Sequence, residues 1–185
     1  MVSPMLFLTL RQPSGRHRGR SSLNLCTRCT SLFTVRTNPP LIPPPVLALV
    51  LLIFSAGLMA AIPLAAIPIP GGRAIGVCFL IVGFASGFSG FSAFRKAGTP
   101  LRPGEEPTQF VRQGPFRITR NPMYLGLELI LIGVFFLTKS LFFLIPPVVF
   151  FLLINLLQIP FEEKMMAEHF GQSYTEYRQR VRRWL

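Results

Sequence analysis

Four long apolar stretches, at 46–62, 74–94, 123–137 and 141–159, decide most of what this 185-residue chain can become. A helix rises about 1.5 Å per residue, so about 20 apolar residues cross a hydrocarbon layer of about 30 Å. The second and fourth stretches approach that length. The first reaches it by continuing past Pro63 to Ile69, with a kink at the proline. The third is short, and spans only with local thinning or a start as early as Arg117. Half of all residues are hydrophobic and the mean hydropathy is +0.49. That is too apolar for an ordinary soluble domain, and backbone in lipid must satisfy its own hydrogen bonds. The expected fold is therefore all-α and integral to the membrane, with about four transmembrane helices. A buried helical hairpin in a soluble protein is the competing reading for the last two stretches, and total hydrophobicity weighs against it.

Charge placement orients the bundle. Of 19 Lys and Arg, six lie in 1–40, six in 95–120 and five in 161–185, while Arg73 and Lys139 alone fall in the other two turns. A net charge of +12 can signal nucleic acid. Here the basic segments alternate with apolar ones, as loops on the cytoplasmic side of a membrane do. Four spans then put both termini in the cytoplasm and leave no nucleic-acid partner to expect. The expected setting is a bacterial inner membrane.

Residues 1–38 are rich in Arg and Ser and contain no acid; the first acidic residue of the chain is Glu105. A targeting segment, a disordered basic arm on anionic lipid and an extension from a misplaced start all fit this composition. The remainder is coherent without it, which favours the last two and predicts poor order. Cys26 and Cys29 form a lone C-x-x-C without a second pair or a nearby ligand His, so no metal site is expected. Cys78 sits in an apolar run as a small packing residue.

Within the second stretch, Gly76, Gly83, Gly87 and Gly90 permit close approach of a neighbouring helix. After the fourth stretch, Phe161, Met165, Phe170, Tyr174, Tyr177, Val181 and Trp184 recur at helical spacing among Glu, Lys, Arg and Gln. That pattern predicts a C-terminal amphipathic helix on or under the membrane, broken at Phe170-Gly171.

A polar knot precedes the third stretch: Gly114-Pro115-Phe116-Arg117-Ile118-Thr119-Arg120-Asn121-Pro122-Met123-Tyr124-Leu125-Gly126. Arg102, Arg112, Arg117 and Arg120 converge there. The third and fourth spans form a hairpin, so Arg120 and Tyr124 become neighbours of Glu162 and Glu163 at the end of the fourth. Cations, carboxylates, an amide and aromatic rings then share one interfacial site, which suits a zwitterionic ligand. Taken singly, the arginines also fit as topology charges, and Glu162-Glu163 after Pro160 as first-turn acids of a new helix. His17 and His169 lie outside this set, and His169 reads as a surface residue.

Taken together, the knot, the apolar hairpin, Glu162-Glu163, Phe170-Gly171-x-x-Tyr174-x-x-Tyr177 and Val181-Arg182-Arg183-Trp184 resemble the isoprenylcysteine carboxyl methyltransferase and phospholipid methyltransferase superfamily. The resemblance covers about 75–185, the first span more loosely, and not 1–38. It implies an integral-membrane enzyme that uses S-adenosylmethionine. It divides the chain into a basic extension, 1–40, and a membrane methyltransferase domain, 41–185. It implies that Thr108, Gln109, Phe110, Val111, Phe116, Arg120, Asn121, Pro122, Met123, Tyr124 and Glu162 hold the cofactor, with Pro122 opening a helix whose first N–H groups suit an anion. Many members have His where this chain has Asn121, which cannot titrate. Eukaryotic carboxyl methyltransferases have Arg at the substrate-facing position of Gln158, which weighs against a prenylcysteine carboxylate here. No catalytic residue is assigned. The expected acceptor is a lipophilic small molecule or lipid bearing a carboxylate, amine or thiol. The rivals are a non-catalytic membrane scaffold or lipid-binding protein on the same fold, and a reductase of the related steroid-reductase architecture.

Overall fold

A computed structural model describes residues 42–62, 66–98 and 109–185. The basic segment 1–40 with Cys26 and Cys29, the kink expected at Pro63, Arg102 and Thr108 lie outside the described residues. Five α-helices follow in order: α1 Pro44–Ala61, α2 Gly72–Ala97, α3 Pro122–Thr138, α4 Ile145–Leu153 and α5 Ile159–Arg180. Short 3₁₀ turns at Gly114–Arg117 and Leu141–Leu144 lead into α3 and α4. The fold is the all-α integral membrane architecture expected. Helix α1, helix α2 and the continuous run Leu141–Arg180 are long and apolar enough to cross a membrane, and α3 is a shorter apolar helix.

Outward-facing side chains say what surrounds the bundle. On α2, Ile81, Phe84 and Phe88 are 63%, 63% and 71% exposed. A chain that presents such a face along a whole helix has lipid, not water, as its solvent. Inside, Ala48 of α1, Tyr124 and Leu131 of α3, Phe150 of α4, and Ile154 and Ile159 beyond it form the core.

Helices α2 and α3 pack backbone to backbone. A Cβ on Gly126 would lie 2.6 Å from the Gly87 nitrogen and 2.7 Å from the Gly83 oxygen, which nothing but glycine tolerates. Gly76 faces the Gly133 carbonyl in the same way, and Gly90 faces Pro122 and Met123. The seven-residue spacing of Gly76, Gly83 and Gly90 keeps the small residues on one seam, matched by Gly126 and Gly133 running the other way. At the far end the two connectors meet: the Ile67 N–H donates to the Lys139 carbonyl at 2.8 Å.

Helix α3, Pro122–Thr138, matches the expected 123–137 to within a residue at each end; Gly114–Arg117 forms its own turn, so the helix stays short at 17 residues. Two details depart from the sequence reading. The fourth span and the amphipathic helix are continuous through Pro160, joined by a π-helical turn at Ile154–Gln158. Pro160 has no N–H for the carbonyl four residues back, and the widened turn absorbs that missing bond. The last helix bends at Gly171 as expected, with φ 51° and ψ −123°, a conformation glycine adopts at little cost. It then ends at Arg180 instead of running to Trp184. Val181 is extended, and Arg182 pairs in parallel with Thr119.

Candidate functional site

The hairpin of α3 and α4–α5 gathers polar residues at one end of the bundle. Tyr124 is buried at the start of α3, and its hydroxyl donates to Oε1 of Glu162. Gln158 Nε2 donates to the same oxygen at 2.5 Å. Gln158 sits in the π turn, four residues before Glu162, so one helical stripe presents the amide and the carboxylate together. Glu162 is half-buried as a residue, and two donors fix one oxygen of its carboxylate.

Glu163 organises a second cluster. Its Oε1 lies 3.2 Å from the Arg120 guanidinium, and its Oε2 2.8 Å from Nη2 of Arg183. Arg183 also donates to Asn155 Oδ1 at 3.1 Å, and Trp184 Nε1 donates to that same oxygen at 3.2 Å. The backbone joins in. Arg120 N–H donates to the Arg182 carbonyl at 3.0 Å, and the Thr119 hydroxyl and Asn121 amide both donate to the Arg183 carbonyl. The chain end is thereby latched onto the approach to α3. Arg120 Nε and Nη1 are buried and have no hydrogen-bond partner among the described residues.

Aromatic rings form the third part. Phe110 stacks on Phe170 with centroids 5.0 Å apart and meets Tyr177 edge-on at 5.3 Å, with Tyr174 at 6.0 Å. The Arg112 guanidinium lies 4.9 Å above the Phe110 ring. Tyr177 donates its hydroxyl to the Phe116 carbonyl at 2.6 Å. Burial pushes the Tyr177 phenol up to about 12, with Arg120 opposing, so it stays a donor at neutral pH. Burial, then Glu163, raises Tyr174, and the Arg120 and Arg178 charges pull the other way. Arg120 therefore stands between the acidic cluster and the aromatic one.

Each site residue expected from sequence has a definite place, except Thr108, which is not among the described residues. Tyr124, Gln158 and Glu162 form one cluster, Arg120 pairs with Glu163, and Phe110 and Phe116 meet through Tyr177. Asn121 is turned toward the chain end and makes no side-chain cap on α3. Pro122 is buried in the α2–α3 seam, its carbonyl accepting the Ser86 hydroxyl at 2.9 Å, and Met123 packs beside it. Gln109 is exposed and Val111 half-buried on the approach. His169 is exposed beside Phe170. Among the described residues no group of three or more His, Cys, Asp or Glu is placed to hold a metal ion. Sequence reasoning placed Glu163 near Arg120 but missed its bridge to Arg183 and the contact of Arg183 with Asn155; the Arg182-Arg183-Trp184 motif at the chain end is the signal for these.

An all-α membrane bundle with one ionic and aromatic end defines the class: an integral-membrane protein with its described polar clusters gathered at one end of the bundle. The family model described as phospholipid methyltransferase matches residues 72–173, from the start of α2 to just past the Gly171 bend. The chain belongs to the phospholipid methyltransferase family, which as a family implies methyltransferase activity in a membrane setting. It is also similar to an uncharacterized protein of Haemophilus influenzae, 45% identical over 64 residues, which is 34% of this chain and the whole of that relative. No solved structure matches.

Proposed function

We propose that the protein is an S-adenosylmethionine-dependent methyltransferase that modifies a lipophilic carboxylate, amine or thiol. In this reading residues 41–185 are the methyltransferase domain, and the site faces the cytoplasm of a bacterium with both termini on that side. Basic residues at the site end of the bundle, against Arg73 and Lys139 at the other, support the orientation.

One observation carries the reading. Two buried nitrogens of Arg120 lack a partner among the described residues; Arg120 pairs with Glu163, and Glu162, the residue before it on α5, is half-buried with its carboxylate held by two donors. A buried unpaired donor is costly to leave unsatisfied. A zwitterionic amino-acid head satisfies both: its carboxylate suits Arg120 and its ammonium suits Glu162. Phe110, Tyr174 and Tyr177 offer ring faces for a base or a cation. These residues fit the cofactor, which when bound supplies an electrophilic methyl group on a sulfonium. Tyr124 and Gln158 act as positioning residues that hold Glu162, while the latched chain end excludes water from Arg120.

Labelled S-adenosylmethionine, incubated with the purified protein and a total lipid extract, tests transfer. The reading expects label in a chloroform-soluble product. Folded protein that binds the cofactor but transfers no label to any lipid fraction favours the scaffold reading instead.

A further inference from the structure

The end of the bundle that holds Tyr124 and Glu162 also carries an outer rim of cations. Arg112, Arg117, Arg178, Arg180 and Arg182 are all exposed, and none is in an ion pair among the described residues. They come from three segments separated in sequence, and specific contacts tie those segments together. Arg112 lies over the Phe110 ring, which meets Tyr177 edge-on at 5.3 Å. The Tyr177 hydroxyl donates to the Phe116 carbonyl at 2.6 Å, so the turn bearing Arg117 sits against the helix bearing Arg178. Arg182 pairs in parallel with Thr119, two residues after Arg117. Arg95 and Lys96, exposed in the last turn of α2, extend the rim, since Phe94 meets Phe116 edge-on at 5.2 Å.

No described acid balances this rim. Glu162 and Glu163 are engaged by Tyr124, Gln158, Arg120 and Arg183. Of the exposed acids on α5, Glu168 lies 3.8 Å from Lys164, and Glu176 accepts from Gln172. Membrane topology alone asks for cations at this end, but it does not ask that three segments bring them together. Gathered like charges repel unless an external anion screens them. The rim flanks the end of α2 and the start of α3, where the apolar helices stop. Ile118 and Leu185 stand among the arginines, 68% and 69% exposed. Apolar side chains between cations suit a lipid interface, and clustered Lys and Arg beside a membrane helix suit acidic head groups.

We infer that this rim binds the phosphate head groups of anionic phospholipid, and that lipid shared between segments clamps the Gly114–Arg117 turn to the end of α5. Lipid binding at the rim is independent of the proposed methyl transfer, so each can fail without the other.

Trp184 is the one tryptophan of the chain and follows Arg182 and Arg183, so its fluorescence reports on lipid at the rim. The full chain is reconstituted in phosphatidylcholine bilayers containing a minor fraction of brominated phosphatidylglycerol or, separately, brominated phosphatidylcholine, whose bromines quench tryptophan. At low salt the anionic lipid is expected to quench at least about threefold more efficiently, and about 1 M salt should bring the ratio close to one. Arg117→Gln, Arg178→Gln, Arg180→Gln and Arg182→Gln combined should do the same at low salt. Arg73→Gln with Lys139→Gln, at the opposite end, should leave the preference intact. Equal quenching by both lipids in wild-type protein overturns the inference, as does a preference that survives in the folded fourfold variant. If that variant does not fold, the salt series on wild-type protein decides, because a preference that persists at high salt is not electrostatic. Loss of the preference on adding millimolar inorganic phosphate would make the rim a free-anion site and overturn its assignment to lipid. Binding of a labelled RNA oligonucleotide without any lipid preference would assign the rim to nucleic acid instead.

Discussion

Glu163 carries more of the site's architecture than its neighbour Glu162, although the two stand side by side in sequence. One carboxylate bridges Arg120, with both side chains about nine-tenths buried, and Arg183, which is more exposed. Removing the bridge leaves the Arg120 guanidinium in the interior with no counter-charge, and breaking a buried ion pair is far costlier than never having built it. Glu163→Gln is expected to lower stability by about 3 kcal/mol, and Arg183→Ala by about 2 kcal/mol because water screens that end. Thermal unfolding in detergent checks both; an unchanged midpoint for Glu163→Gln would mean that the network is ornamental. Residue types made Arg120, Tyr124 and Glu162 legible as a group, because a helical hairpin must bring its two ends together. Asn121 was legible as a member of the knot, but not in its orientation. Only the folded chain end supplies the Arg183 carbonyl it serves.

At the scale of elements, the α2–α3 seam sets the spacing of everything above it. Gly126→Val pushes a side chain into the Gly83 and Gly87 backbone, where a single Cβ already lies under 3 Å. Overpacking against backbone cannot be relieved by a rotamer change. The expected outcome is loss of folded protein in size-exclusion chromatography, whereas Gly57→Ala on α1, which meets open space, behaves as wild type. Near-normal yield of Gly126→Val with ligand binding intact would contradict the close seam. This contact is legible in the glycine spacing of α2 alone, since small residues recurring on one face of a lipid-solvated helix let a second backbone approach. The π turn was not legible. Pro160 reads equally as a helix start and as an interruption within one, and tertiary packing of Ile154 and Ile159 in the core decides between them. The tail beyond Arg180 continues the helical periodicity in its residue pattern, yet pairing with Thr119 and Arg120 outweighs that local preference.

The described residues form a membrane bundle with its polar clusters gathered at one end. The proposed orientation rests on charge: the ends of α2 and α5 and the start of α3 are basic, and the opposite turns carry Arg73 and Lys139. In an otherwise cysteine-free chain, a cysteine at position 178 is expected to resist impermeant maleimide in intact cells, and one at position 139 to react. Reversal of that pattern would place the site on the outer face. The family match ends at 173, so the latch formed by Arg182, Arg183 and Trp184 belongs to the part of the site beyond it. The measurement that reaches the central claim most directly is calorimetry of S-adenosylmethionine with the detergent-solubilised full chain. Saturable one-to-one binding is expected. Glu162→Ala and Tyr124→Ala should weaken it by about tenfold or more, through loss of a charged partner or of the donor that holds it. Cys78→Ser, out on the exposed face of α2, should leave it unchanged. Absence of binding at millimolar cofactor by folded wild-type protein, or equal losses from all three substitutions, would contradict a cofactor site built on Tyr124 and Glu162.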